Sequence, residues 1–234
     1  MEEEIIASGL FEPKVVWGYF PAQGEGNDVI VYKSPDAAPT NPSPPSEHRS
    51  TAPAATAGGS GPGLAGAEEL LRFTFPRQRE GRRLAIADFF APKSSGKMDV
   101  IGLSLVTIGS KASLETQRLF EAGEYTKYLY LHGLSVETAE ALAEYHHKLM
   151  RQELGIAPDD SPHIRDLFHQ KYRGSRYSFG YPACPNLEDQ TKLFALLHPE
   201  ENVGVRLTTG FLLEPEQSTS AIVVHHPAAK YFVA

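Results

Sequence analysis

Cysteine is nearly absent from this chain: Cys184 is the only one in 234 residues. One thiol cannot form an internal disulfide or a thiolate zinc cluster. Such sparing use agrees with a reducing compartment, so a cytoplasmic protein is expected. No apolar run approaches the ~20 residues that a membrane helix requires. The start, Met1-Glu2-Glu3-Glu4, lacks the positive charge of a signal peptide. Positive charge is short overall, with 22 Lys and Arg against 29 Asp and Glu and a net charge of −7. That balance argues against nucleic acid, whose binding is driven by phosphate neutralisation. No Gly-x-Gly-x-x-Gly turn joins a strand to a helix, which counts against a Rossmann-type fold. What is present, 41% hydrophobic and 10% aromatic residues, suits a soluble globular chain long enough for one domain with a sizeable core.

Large apolar residues are almost missing from one segment, at about residues 34–68, where Leu64 is the exception. There Pro39-Thr40-Asn41-Pro42-Ser43-Pro44-Pro45 leads into Ala52-Pro53-Ala54-Ala55-Thr56-Ala57-Gly58-Gly59-Ser60-Gly61-Pro62-Gly63. With so little to bury, the segment cannot offset its ordering entropy. It reads as a disordered insertion between two strands of a single domain spanning residues 1–234. A phosphate loop is disfavoured, because Gly-Lys-Ser/Thr is lacking and no strand immediately precedes it.

On either side the pattern is regular. Strands are expected at Lys14–Phe20 and Asp28–Tyr32 across a Gly-rich turn, then at Leu70–Phe75, Leu84–Phe89 and Asp99–Ile108. Helical spacing covers Leu114–Leu129. It recurs through Val136, Ala139, Leu142, Ala143, Leu149 and Met150, with Ser135 as the expected cap. Further helices are expected at Asp160–Tyr172 and Asn186–Leu197. An antiparallel pair is expected at Val203–Leu213 and Thr219–Val224, and a last strand at Tyr231–Ala234. Strands and helices do not alternate as βαβ units, so the fold class is α+β with a mostly antiparallel twisted sheet and flanking helices.

The densest chemistry lies in Arg176-Tyr177-Ser178-Phe179-Gly180-Tyr181-Pro182-Ala183-Cys184-Pro185. Two prolines forbid a regular helix. Arg176 offers a planar fork of donors to a carboxylate, and Gly180 lets backbone approach a ligand closely. Tyr177, Phe179 and Tyr181 offer flat faces for a heterocycle. The stretch reads as a loop for a ligand both anionic and aromatic.

This segment resembles the activation domain of cobalamin-dependent methionine synthase, whose pattern Arg-x-x-x-Gly-Tyr-Pro-Ala-Cys-Pro is met at every fixed position. Collinear similarity extends to Val15–Pro21, Phe75–Gln78, Ala87–Lys93, Thr138–Glu144 and His226–Phe232. It covers nearly everything outside residues 34–68. The resemblance implies a C-shaped sheet-and-helix fold that binds S-adenosylmethionine. It implies support for reductive methylation of cob(II)alamin to methylcobalamin. The cobalamin would be held by a partner domain or chain, and the electron would come from a flavodoxin-type reductant. No Asp-x-His-x-x-Gly cobalamin-ligand motif occurs and Cys184 stands alone, so homocysteine methylation by this chain by itself is not expected. Two other readings stay open, a binding module without reactivation and a fragment. The family's N-terminal helical segment, whose acidic residue contacts the ligand's amino group, is expected to precede Met1.

By the same resemblance, Arg176 takes the ligand's carboxylate and Glu140 lies near its positive end. Ser178 occupies a small-residue position whose backbone faces the adenine, beside Gly180. Tyr181 and the pair Tyr231 and Phe232 match aromatic ligand positions, with Phe232 lacking the hydroxyl of the family's tyrosine. Each has a plainer reading: Arg176 in a structural ion pair, Glu140 solvated, Tyr181 and one of the C-terminal pair in the core. No catalytic residue is assigned. His146-His147 and His225-His226 invite a metal, but adjacent residues diverge on a strand or a helix, and no metal is expected. Cys184 reads as a buried filler. Arg77, Arg79, Arg82 and Arg83 read as a solvated basic turn, or a surface for an acidic reductant.

Overall fold

The computed structural model describes residues 8–33 and 67–234. The segment expected to be disordered, residues 34–68, lies outside the described residues except for its last two. The fold is α+β. Its main sheet has six strands: β1 (Lys14–Glu25), β2 (Asp28–Tyr32), β3 (Glu69–Thr74), β4 (Asp99–Thr107), β5 (Ser175–Ser178) and β8 (Ser218–Val224). They lie in the order β3-β2-β1-β4-β8-β5 and every pairing is antiparallel. A two-stranded ladder, β6 (Arg206–Leu207) with β7 (Leu213–Glu214), stands apart. The helices are α1 (Ser110–Glu121), α2 (Tyr125–Glu153), α3 (Ile164–Leu167), α4 (Gln190–Leu197) and α5 (Pro199–Val203).

Both sheet faces are covered, and period-two alternation divides the side chains between them. On one face Val16, Leu103, Leu105, Phe73, Tyr177 and Ile222 join Leu193 and Leu197 of α4 in the main core. On the other, α2 lies across the sheet. Trp17 and Tyr19 of β1 both donate to the Glu153 carboxylate, at 3.1 and 2.6 Å. The buried Ser104 of β4 meets His146 at 3.3 Å. Double coverage explains why the middle of β4 is a continuous buried run from Ile101 to Thr107.

The structure corrects several expected elements. Leu84–Phe89 is not a strand. Its last four residues, Ile86–Phe89, form a 3₁₀ turn, where the Asp88 carboxylate accepts the Ala85 N–H at 2.9 Å. The helix read over Leu114–Leu129 is broken at Gly123, in left-handed conformation. Ser135 is not a cap: it is buried mid-helix and its hydroxyl donates to the Leu131 carbonyl at 2.6 Å. Asp160–Tyr172 carries only the single turn α3. Asp166 gathers Ser161 and Lys171 there and closes the segment into a loop. Val203–Leu213 does not pair with Thr219–Val224. The apolar end of β8 needs cover on both faces and lies inside the sheet, between β4 and β5. Tyr231–Ala234 forms no strand.

Candidate functional site

Strand β5 is only four residues long, and two glycines set its position. Gly174 precedes it at φ 89°, where an added Cβ would lie 2.4 Å from the Val224 carbonyl oxygen. Gly180 follows at φ 88°. Both are conformations glycine adopts without penalty. Register with β8 pairs Arg176 with Val223 and Tyr177 with Ile222, so alternation sends Tyr177 to the main core and Arg176 and Ser178 to the α2 side. The Tyr177 hydroxyl donates to the Lys230 carbonyl at 2.8 Å, and its ring packs against Phe89 and Phe232. Phe179 is buried too. Of the three rings expected to face a heterocycle, two are therefore core, and only Tyr181, 56% exposed, is available.

Beyond Gly180 the chain makes a tight turn. The Cys184 N–H donates to the Tyr181 carbonyl and the Gly180 N–H to the Cys184 carbonyl, both at 2.8 Å. Cys184 is buried, and burial together with the nearby Asp189 charge pushes its thiol up to about 12. A thiol so protected is a core filler, not a nucleophile.

Arg176 is the centre of the charge arrangement. Its side chain is 13% exposed, and its Nη2 donates to Glu140 at 3.0 Å and to Glu144 at 2.9 Å. Burial opposes the charge, but the hydrogen bonds and field of the two carboxylates outweigh it and hold the pKa above the ordinary arginine value. Nη1 is buried without a hydrogen-bond partner, a donor that costs free energy until an acceptor reaches it. Arg176 and Glu140, named from sequence, are thus in direct contact. Glu144 is the residue that sequence reasoning misses. Its signal is the spacing Glu140-x-x-x-Glu144, a like-charge pair one helical turn apart that weakens a helix unless a cation sits between.

The remaining candidates fall at different depths. Ser178 shares the α2 side of the same edge strand. Tyr231 is 48% exposed, and its N–H is held by the Gln170 side chain at 3.3 Å. Phe232 is 8% exposed and wedged against Phe89 and Tyr177, so its ring supports β5 from the core. An open depression of about 500 Å³, lined by Asp159, Asp160, Tyr172, Arg173, Pro227 and Lys230 among others, includes none of the seven candidates. The candidates lie along and around the half-buried β5 edge rather than in this depression.

The histidine pairs separate as adjacent residues must. His146 meets Ser104 and Trp17, His147 packs edge-on to Tyr172, and His225 lies 2.6 Å from Asp99. Among the described residues no group of three His, Cys, Asp or Glu is placed to hold a metal. Of the expected basic turn, Arg77 is committed to Asp88 in a two-pronged pair at 2.7 and 2.8 Å, while Arg79, Arg82 and Arg83 are exposed.

A family model described as vitamin B12 dependent methionine synthase, activation domain, matches residues 1–234. The chain belongs to this family. The activation domain is 41% identical over 233 residues to methionine synthase of Mycobacterium tuberculosis, covering 95% of this chain and 17% of that protein. It is 41% identical over 228 residues to methionine synthase of Mycobacterium leprae, covering 93% and 16% respectively. The chain therefore spans about a sixth of the length of these relatives. A solved structure, the MetH reactivation domain bound to AdoHcy, matches with a TM-score of 0.80 at 27% identity, covering 99% of this activation domain and 64% of that chain.

Proposed function

We propose that this activation domain binds S-adenosylmethionine along the β5 edge and supports reductive methylation of cobalamin held by another domain or chain of methionine synthase. When bound, S-adenosylmethionine supplies the methyl group. Arg176 holds its carboxylate, and Glu140 faces its ammonium and sulfonium end. Ser178 and Gly180 offer backbone at the sheet edge, and the exposed rings of Tyr181 and Tyr231 flank the adenine. Phe232 acts from beneath, by fixing Tyr177. Positioning of this kind is a proximity effect, with the hard chemistry left to the cofactors. The observation that carries the reading is the buried, unpartnered Nη1 of Arg176 beside two carboxylates. The AdoHcy bound to the related MetH reactivation domain agrees with it.

In this reading residues 1–234 form one domain, and Lys33 and Glu68, paired by a 2.9 Å backbone hydrogen bond, bracket an insertion. The reductant is a flavodoxin-type protein, for which Arg79, Arg82 and Arg83 give a basic surface. The setting is the cytoplasm, whose reducing conditions suit a chain with one cysteine. Calorimetric titration with S-adenosylmethionine tests the reading. A charge-assisted hydrogen bond contributes ~1.5–3 kcal/mol, so Arg176→Ala should weaken binding roughly 10- to 100-fold. Equal affinity in wild type and variant would remove Arg176 from the site.

A further inference from the structure

We infer that Glu144 is a positioning residue for the ligand's carboxylate, acting through Arg176; the inference rests on the S-adenosylmethionine reading above. Glu140 and Glu144 both accept from Nη2, at 3.0 and 2.9 Å. That nitrogen has two hydrogens, so the pair saturates it, while the separate Nη1 is buried with no partner. The charges add up as well. Two carboxylates and one guanidinium give the cluster −1. The methionine head of the ligand, with one carboxylate, one ammonium and one sulfonium, carries +1.

The two carboxylates have different tasks on binding. Glu140 is drawn toward the ligand's cationic end and loosens its hold on Nη2. Were Glu140 the only anchor, Arg176 would follow it or turn toward solvent. Glu144, one turn further along α2, keeps the guanidinium in plane so that its free donors stay aimed at the incoming carboxylate. A planar fork loses little freedom per hydrogen bond formed only while it is held in place. This also explains why a like-charge pair is retained on one helix face.

The test compares S-adenosylmethionine with its decarboxylated analogue on the wild-type chain, Glu144→Gln, Arg176→Ala and the double variant. Glu144→Gln should weaken S-adenosylmethionine roughly 3- to 10-fold and leave the decarboxylated analogue within about twofold. In the Arg176→Ala background it should have no further effect, because residues that act as a unit are not additive. Simple attraction between Glu144 and a cationic ligand predicts the opposite pattern, since the decarboxylated analogue carries more positive charge. An equal or larger loss on that analogue therefore overturns the inference. So does tighter binding of S-adenosylmethionine, which would make Glu144 a competitor for Arg176. If Arg176→Ala weakens binding and Glu144→Gln does not, the inference falls alone. If the wild-type chain does not bind, or Arg176→Ala changes nothing, the proposed function falls and this inference with it.

Discussion

Lowering the pH from 7.5 to 5.0 should cost the fold about 2 kcal/mol through His146 alone. His146 is buried between α2 and the sheet, facing Ser104 and Trp17, and burial pushes its pKa from 6.5 down to about 4. In the unfolded chain the imidazole takes its proton near pH 6.5; in the folded chain it does so only near pH 4. Between those values the unfolded state binds more protons. The contribution is therefore complete above pH 6.5, declines as the pH falls, and is gone below pH 4. His147 shifts in the same direction through burial and the fields of Arg151, Arg176 and His146, and neither of its ring nitrogens has a hydrogen-bond partner. It adds to the loss. Carboxylates paired with Arg or Lys lose their contribution mainly at lower pH, so the interval from 6.5 to 5 belongs to histidines. Urea unfolding at the two pH values measures the effect. Trp17, the only tryptophan, has its ring 4.7 Å from His146 and reports on that contact. With a slope of ~1–3 kcal/mol per molar urea, the midpoint should fall by about 1 M. Unchanged midpoints would refute the neutral buried imidazole. A His146→Leu variant with the wild-type pH dependence would assign the loss elsewhere.

Phe232→Ala should destabilise by ~3–5 kcal/mol, because the ring is enclosed by Phe89 and Tyr177; a melting midpoint within a degree or two of wild type would return Phe232 to the surface. Cys184 should resist a disulfide-exchange reagent at pH 8 in the native protein and react at once in urea, and rapid native reaction would contradict its burial. Deleting Pro39–Pro62 with a short polar bridge should leave the midpoint nearly unchanged. The β2–β3 ladder closes at Lys33 and Glu68, and loop closure changes by only ~0.6 kcal/mol per doubling of length. A drop of more than a few degrees would mean that the segment contributes to stability.

Elements set by local pattern are legible in the chain itself. Asp99–Thr107 is a β-branched run, and the alternation of β1 and β2 around Gly26 announces a hairpin. The motif Arg176–Cys184 stands out from the rest of the chain by its residue types. What is not legible depends on partners distant in sequence. Nothing local in Ser218–Val224 says that it lies between β4 and β5. Tyr177, Phe179 and Tyr181 look equivalent as aromatics, and only the register of β5 sends the first to the core. Ser135 has the chemistry of a cap, and the tertiary setting of α2 overrides it. Glu144 looks like one more solvated acid until Arg176 is placed across from it.

The order of the sheet governs when the β5 edge can form. β5, which bears Arg176, is hydrogen-bonded to β8 and to no other strand of the main sheet. Yet β8 is made some forty residues later, and the Lys230 carbonyl that receives the Tyr177 hydroxyl later still. A nascent chain emerging residue by residue holds the motif long before it can hold the shape. The pairing must wait for β8, as non-local contacts do. Chains cut short before Ser218 would carry the full Arg-to-Cys signature with no strand to dock it on.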